Sequence, residues 1–134
     1  MRYMLDTSIC VELIRGRAPR VFERLRKLAV DEAGISSITL AELQYGVAKS
    51  SNAARHQELL AKFLAPLAVA PFDDSAAGTY GELRAALERE GTPIGPLDTL
   101  IASHALSMKT TLVTANEREF RRVSGLRVEN WLVR

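Results

Sequence analysis

The stretch RYMLDTS at residues 2–8 joins a short apolar run to an abrupt polar stop. Residues 2–5 are mostly apolar without polar alternation, which is typical of a strand buried on both faces of a sheet. Asp6, Thr7 and Ser8 end the run, and all three residue types cap helices. The segment therefore predicts a buried strand followed at once by a helix.

The same alternation continues along the chain. Further strands are expected at residues 34–37, 67–70, 111–114 and 127–129, with helices that include 53–64, 74–90 and 97–108. A helix starting near Pro19 is expected to turn Val21, Phe22, Leu25 and Leu28 towards the core. Strands alternating with helices predict an α/β fold, a three-layer α/β/α sandwich around a short-stranded parallel sheet.

Bulk properties narrow the class of protein. The 134 residues fit a single domain spanning 1–134, and 47% apolar with 25% charged residues is ordinary for a globular chain. Cys10 is the only cysteine, so no intrachain disulfide can form, and we expect a core thiol in a reducing cytosol. No apolar run approaches the ~20 residues that cross a bilayer. We therefore expect a soluble cytoplasmic protein, while the net charge of +2 says little about its partners.

Acidic and amide residues stand at the predicted ends of the strands. Asp6 closes the first strand, Glu42 falls in the first turn of the helix after the second, and Asp98 opens the helix that leads into the fourth. Asn116 and Glu119 follow the fourth strand. If these strands are parallel neighbours, their carboxyl ends share one edge of the sheet, where ligands of open α/β sheets bind.

Each acid also has a purely structural interpretation. Asp6 could cap the first helix. The segment from Thr39 to Glu42 matches a capping box, in which the glutamate reaches back to the cap residue. Asp98 could be a favourable charge at a helix N-terminus. Taken together, these structural interpretations are less convincing, because all three acids would then be caps at the same edge of the sheet.

Repulsion among these acids indicates that the cluster either takes up protons or binds a cation. Two carboxylates ~4 Å apart repel by about 4 kcal/mol at an effective dielectric constant near 20, so a cluster takes up protons or binds a cation. No lysine or arginine lies beside Asp6, Glu42 or Asp98 in the sequence. Oxygen ligands suit Mg²⁺ or Mn²⁺, whereas one cysteine and no paired histidines disfavour zinc. Such a metal would support phosphodiester hydrolysis.

Four motifs in order resemble the PIN-domain motifs of VapC-type toxins: MLDTS (4–8), SITLAELQYG (37–46), PIGPLDTLIA (93–102) and LVTANEREF (112–120). The resemblance implies a Mg²⁺-dependent endoribonuclease of a type II toxin–antitoxin pair that cleaves tRNA or ribosomal RNA. It also implies a VapB-like antitoxin partner and a homodimer. Asp6, Glu42 and Asp98 would form the acidic metal site. Asn116 stands where many members have Asp, and Glu119 would supply the missing charge.

The resemblance also assigns roles to individual residues. Asp6 and Asp98 would ligate the metal, and Glu42 would ligate it or orient the attacking water. The hydroxyls of Thr7, Ser8 and Thr114 could hold phosphate or water, although capping and turn chemistry explain Ser8 and Thr114 equally well. A basic rim is expected to hold the RNA backbone, and it comprises Arg118, Arg121 and Arg122. His56 and His104 are expected to be packed or surface residues.

Two other functions compete with the nuclease. Asp6 after a strand also resembles the nucleophile of aspartyl-phosphate phosphatases, but these need a second acid two residues later, where Ser8 stands. A non-catalytic module that binds RNA or protein would use the same acids as caps, and Asn116 leaves room for it.

Overall fold

The computed structural model describes residues 1–132 and contains one parallel sheet with helices on both faces. The strands follow the spatial order β3-β2-β1-β4-β5. They are β1 (Tyr3–Leu5), β2 (Ala33–Ser36), β3 (Ala68–Ala70), β4 (Thr111–Val113) and β5 (Val128–Glu129). The helices are α1 (Thr7–Ile14), α2 (Pro19–Leu25), α3 (Ser37–Ala48), α4 (Ala53–Leu64), α5 (Asp74–Arg89), α6 (Pro96–Met108) and α7 (Glu117–Phe120). The predicted α/β/α sandwich is confirmed.

The first strand is the centre of the sheet. Tyr3 pairs with Ala33 of β2 on one side and with Thr111 of β4 on the other, both in parallel. The amide of Asp6 continues the ladder by donating to the carbonyl of Val113 at 3.0 Å. The carboxyl ends of β2, β1 and β4 therefore lie side by side, as the sequence predicts.

Apolar side chains fill both faces of the sheet. Leu5 packs on one face with residues of α1, α2 and α4, whereas Met4 points to the other face and packs with Ile101 of α6. Such two-sided burial explains why the strands show no polar alternation. It also fixes the strand register, because a one-residue slip would exchange the two faces.

Packing of the smaller helices differs in one place from the prediction. In α2 Val21 is fully buried, but Phe22 is 58% exposed and Leu28 lies beyond the end of the helix. Phe22 instead lines an open apolar groove of about 480 Å³ together with Leu25, Phe63 and neighbouring side chains. The prediction failed because one apolar run was assigned to one face, whereas adjacent helical positions point about 100° apart.

The local expectations for Cys10, His56 and His104 are confirmed. Cys10 is fully buried, and burial raises the pKa of its thiol well above the usual value. Trp131 is buried with its ring edge-on to Tyr3 at 5.0 Å. His56 is exposed and His104 is buried. Among the helices of residues 1–132, none combines the length and the apolar character needed to cross a membrane.

The close approach of β3 to Gly34 in β2 can be tested by substituting this glycine and measuring stability. A Cβ built on Gly34 would lie 2.4 Å from the carbonyl oxygen of Ala68, a backbone atom that cannot move without disturbing the ladder. We expect Gly34→Ala to lower the free energy of unfolding by about 1–3 kcal/mol, a typical cost of overpacking.

The matched control is Gly46→Ala in α3, where a Cβ meets nothing within 4 Å. Removal of a helical glycine should raise the free energy of unfolding by up to about 1 kcal/mol. Urea unfolding of the two variants measures both effects. Equal stability of Gly34→Ala and the wild type would contradict the close β2–β3 approach.

Candidate active site

Four carboxylates gather at the carboxyl edge of the three central strands. Asp6 follows β1, Glu42 lies on α3 after β2, Asp98 lies in the first turn of α6, and Glu119 lies on α7 after β4. Burial and then the negative charges of Glu119, Asp6 and Glu42 raise the pKa of Asp98 to about 7. Because the charges of the other three carboxylates act on Asp98, the four groups lie close enough to influence one site.

Asp6 is both a helix cap and a member of this cluster. Its Oδ1 accepts the backbone N–H of Ile9 at 3.0 Å and the hydroxyl of Ser8 at 2.6 Å, while its Oδ2 accepts the hydroxyl of Thr114. Burial raises the pKa of Asp6, and these hydrogen bonds partly oppose the rise. Capping accounts for one carboxylate oxygen only, since the other faces β4.

Glu42 does not occupy the predicted place in its helix. We expected it in the first turn, in a capping box with Thr39, but α3 begins at Ser37 and Glu42 falls in the second turn. Ser36 is the cap, because its Oγ accepts the N–H of Ile38 at 3.0 Å. Glu42 is instead held by the hydroxyl of Thr7, which donates to its Oε1 at 2.6 Å. The capping alternative is therefore wrong for Glu42.

Glu119 joins the loop after β4 to the start of α6. Its Oε1 accepts the backbone N–H of Gly95 at 2.9 Å, and its Oε2 accepts the side-chain amide of Asn116. A Cβ on Gly95 would lie 3.6 Å from Oδ2 of Asp98 and 3.7 Å from Oε1 of Glu119, so both carboxylates border the same small space. A side-chain hydrogen bond with Glu119 adds to the raised pKa of Asp98.

The three hydroxyls that we expected to hold phosphate or water already donate to carboxylates. Thr7 donates to Glu42, and Ser8 and Thr114 donate to Asp6. Thr114 also accepts the backbone N–H of Asn116 at 2.9 Å. These hydroxyls orient the acids, a role that the sequence did not predict. Only the contact of Ser8 with Asp6, two residues away, has a local signal in the sequence.

Two of the three arginines of the predicted basic rim already contact other groups of the protein. Arg121 pairs with Glu117 at 3.2 Å, and Arg122 donates to the carbonyl of Pro93 at 2.9 Å, which ties α7 to the loop before α6. Arg118 is exposed on α7 beside Glu119. Of these three arginines, only Arg118 makes no ion pair or side-chain hydrogen bond within residues 1–132. RNA binding by the three arginines remains a prediction.

The donor chemistry of the edge suits a hard divalent cation. All five ion pairs found in residues 1–132 use other acids, so no lysine or arginine there neutralises Asp6, Glu42, Asp98 or Glu119. In the same described part, no three His, Cys, Asp or Glu side chains form a ready-made ligand set for a metal. Mg²⁺ commonly takes one or two carboxylates and completes its shell with water and phosphate oxygens. The suitability of this edge for Mg²⁺ therefore rests on its oxygen donors and on the uncompensated negative charge of the four carboxylates.

Comparison with known proteins supports the family and the fold. A PIN-domain sequence profile matches residues 3–126. "Ribonuclease VapC2" of Rickettsia felis is 47% identical over 98% of both chains, and "tRNA(fMet)-specific endonuclease VapC" of Shigella flexneri is 43% identical over 98% of both. A crystal structure of VapBC2 from Rickettsia felis bound to a promoter DNA fragment superposes with a TM-score of 0.93 at 46% identity, covering 98% of this chain and 99% of that one.

The chain therefore belongs to the PIN-domain family, and within it to the VapC ribonucleases. The resemblance that the four motifs indicate is confirmed, and a nuclease is favoured over a phosphatase or a non-catalytic module.

The burial of Asp98, together with repulsion from the other carboxylates, should be measurable as a pH-dependent loss of stability. Because the pKa of Asp98 is about 7 in the folded chain against an ordinary 3.8, the folded state holds an extra proton between these values. Stability from this group therefore falls as the pH rises from about 4 to about 7. We expect Asp98→Asn, without metal, to unfold at a higher temperature than the wild type at pH 8, with the gain shrinking towards pH 4.

The control is Asp74→Asn, which removes a first-turn charge from α5 instead of α6. It should lower stability slightly, because a negative charge there favours the helix N-terminus. Thermal unfolding in EDTA at several pH values provides the comparison. A destabilised Asp98→Asn variant at pH 8 would show that Asp98 is not under repulsion.

Proposed function

We propose that this chain is a Mg²⁺-dependent endoribonuclease, with Mn²⁺ as an alternative ion, that cleaves a structured RNA as the toxin of a toxin–antitoxin pair. The observation that carries the proposal is the gathering of four carboxylates at one edge of the sheet, where no ion pair found in residues 1–132 neutralises them: Asp6, Glu42, Asp98 and Glu119. A protein gains nothing in stability from this arrangement, whereas a site for a cation and a phosphate uses it directly.

Asp6 and Asp98 are the proposed metal ligands, and Glu42 either joins them or orients the attacking water. When bound, Mg²⁺ would polarise the scissile phosphate, lower the pKa of a water and offset charge on the leaving oxygen. Glu42, held by the hydroxyl of Thr7, would accept a proton from that water. Glu119 would supply the fourth acidic position, with the amide of Asn116 orienting its carboxylate.

The proposed substrate is tRNA, and tRNA(fMet) is the first species to test. Two relatives at 43% and 42% identity over 98% of this chain are named tRNA(fMet)-specific endonucleases. Arg118, Arg121 and Arg122 on and after α7 would contact the RNA backbone next to the acidic edge.

The proposed partner is a VapB-like antitoxin, because solved relatives at 46% and 42% identity are VapBC complexes. The apolar groove beside Phe22 offers such a partner an exposed surface to cover. We also propose a homodimer and a cytoplasmic location, where tRNA is found; both follow from the resemblance to the VapC group.

Loss of one carboxylate should separate catalysis from folding. We expect Asp6→Asn to reduce Mg²⁺-dependent cleavage of tRNA(fMet) by at least about 100-fold, since losing even an outer partner of a metal ligand costs roughly 10- to 100-fold. The asparagine keeps an acceptor for the Ile9 N–H cap. Gel analysis of cleavage with Mg²⁺, Mn²⁺ and EDTA measures the effect, and circular dichroism confirms folding.

Asp74→Asn serves as the control, because it removes a first-turn carboxylate that does not belong to the four-carboxylate cluster. It should cleave like the wild type. Undiminished cleavage by Asp6→Asn, or full wild-type cleavage in EDTA, would refute the proposed mechanism.

The hydrogen bond from Thr7 to Glu42 offers a finer test. We expect Thr7→Val, which keeps the shape but loses the hydroxyl, to lower kcat by about tenfold, while Thr7→Ser keeps most activity. Steady-state cleavage with and without excess Mg²⁺ gives kcat and KM. Equal kcat for Thr7→Val and the wild type would mean that Glu42 needs no fixed orientation.

A further inference from the structure

A buried hydrogen bond joins the two helices that carry Glu42 and Asp98. Nδ1 of His104, on α6, lies 2.8 Å from Oγ of Ser36, the cap residue of α3. His104 is 1% exposed and Ser36 is fully buried. Each partner stands six residues from an acid in sequence, about 9 Å along a helix axis. The bond therefore joins the N-terminal cap of α3 to the C-terminal half of α6.

The hydroxyl of Ser36 can pair with either tautomer of His104. Ser36 Oγ accepts the N–H of Ile38 and still has a proton and a second lone pair, so it can donate to Nδ1 or accept from it. Burial lowers the pKa of His104, which favours the neutral ring. The charge of Asp73 and a hydrogen bond to the backbone of Pro71 oppose that lowering.

The ring of His104 also packs against the segment that follows β3. Phe72 packs edge-on against it, with ring centroids 5.4 Å apart. The N–H of Phe72 donates to Oγ of Ser37, the first residue of α3, at 3.0 Å. His104 thus links α6, the start of α3 and the segment after β3, which are separate in sequence. The burial of a histidine side chain requires partners for its ring nitrogens, and Ser36 supplies one of them from a different helix.

We propose that the His104–Ser36 hydrogen bond is a positioning contact that sets the placement of α3 relative to α6, and hence of Glu42 relative to Asp98. His104 touches neither acid and is not a catalytic residue. A shift of about 1 Å between reacting groups can cost roughly 100-fold in rate. The inference rests on the proposed function, since it concerns the geometry of the same carboxylates.

The test compares three variants by kcat, KM and Mn²⁺ affinity. His104→Leu removes the hydrogen-bonding group, whereas His104→Asn retains a donor and an acceptor at the δ position. Val21→Ala, in the core of the opposite face, is the control for lost stability alone. We expect His104→Leu to lower kcat about 10- to 100-fold with KM within about twofold, and to weaken Mn²⁺ binding by about tenfold. His104→Asn should recover most of both, and Val21→Ala should match the wild type while folded.

A wild-type kcat and Mn²⁺ affinity in His104→Leu would overturn the proposal, as would an equal loss in His104→Asn or in Val21→Ala. Cleavage and Mn²⁺ binding by the wild-type protein test the proposed function, independently of the His104 variants. The positioning contact also has a readout without activity, because unfolding losses of His104→Leu and Ser36→Ala should be less than additive in the double variant. Additive losses would count against the contact.

Discussion

Parallel pairing of β1 between β2 and β4 is the constraint on which the site depends. It brings three strand ends together, so that Asp6, the start of α3 and the segment after β4 share one edge. The approach of α6 to this edge then adds Asp98. Apolar packing on both faces pins the register, and a slip of one residue would turn Met4 and Leu5 to the wrong faces. The chemistry therefore follows from the hydrophobic pattern of very short strands.

Neutral donors hold the acids in place. Hydroxyls of Thr7, Ser8 and Thr114 and the backbone N–H of Gly95 fix the carboxylate oxygens without cancelling their charge. A lysine or arginine in the same place would have stabilised the cluster but removed its affinity for a cation. The arrangement gives up folded-state stability to keep negative charge at the edge, which is the trade-off expected of a binding site.

Much of this organisation could be predicted from the sequence. Buried strands, the alternation with helices and the acids at strand ends follow from local composition, and the parallel order that brings the acids together is confirmed. Helix phase and long-range contacts could not be predicted so well. Glu42 was misplaced because Ser36 caps α3 three residues earlier than Thr39 would. The contacts from Thr7 to Glu42 and from His104 to Ser36 join residues 35 and 68 positions apart, which no local pattern encodes.

The central claim is that Asp6, Glu42 and Asp98 serve one divalent-cation site at this edge. Crystals of the wild-type protein soaked in Mn²⁺ test it directly, because anomalous scattering locates the ion without reference to activity. The account predicts an anomalous peak within ligand distance of the carboxylates of Asp6 and Asp98, absent from Asp98→Asn crystals treated in the same way. Strong Mn²⁺ peaks found only elsewhere on the molecule, or an edge peak that persists in Asp98→Asn, would contradict it.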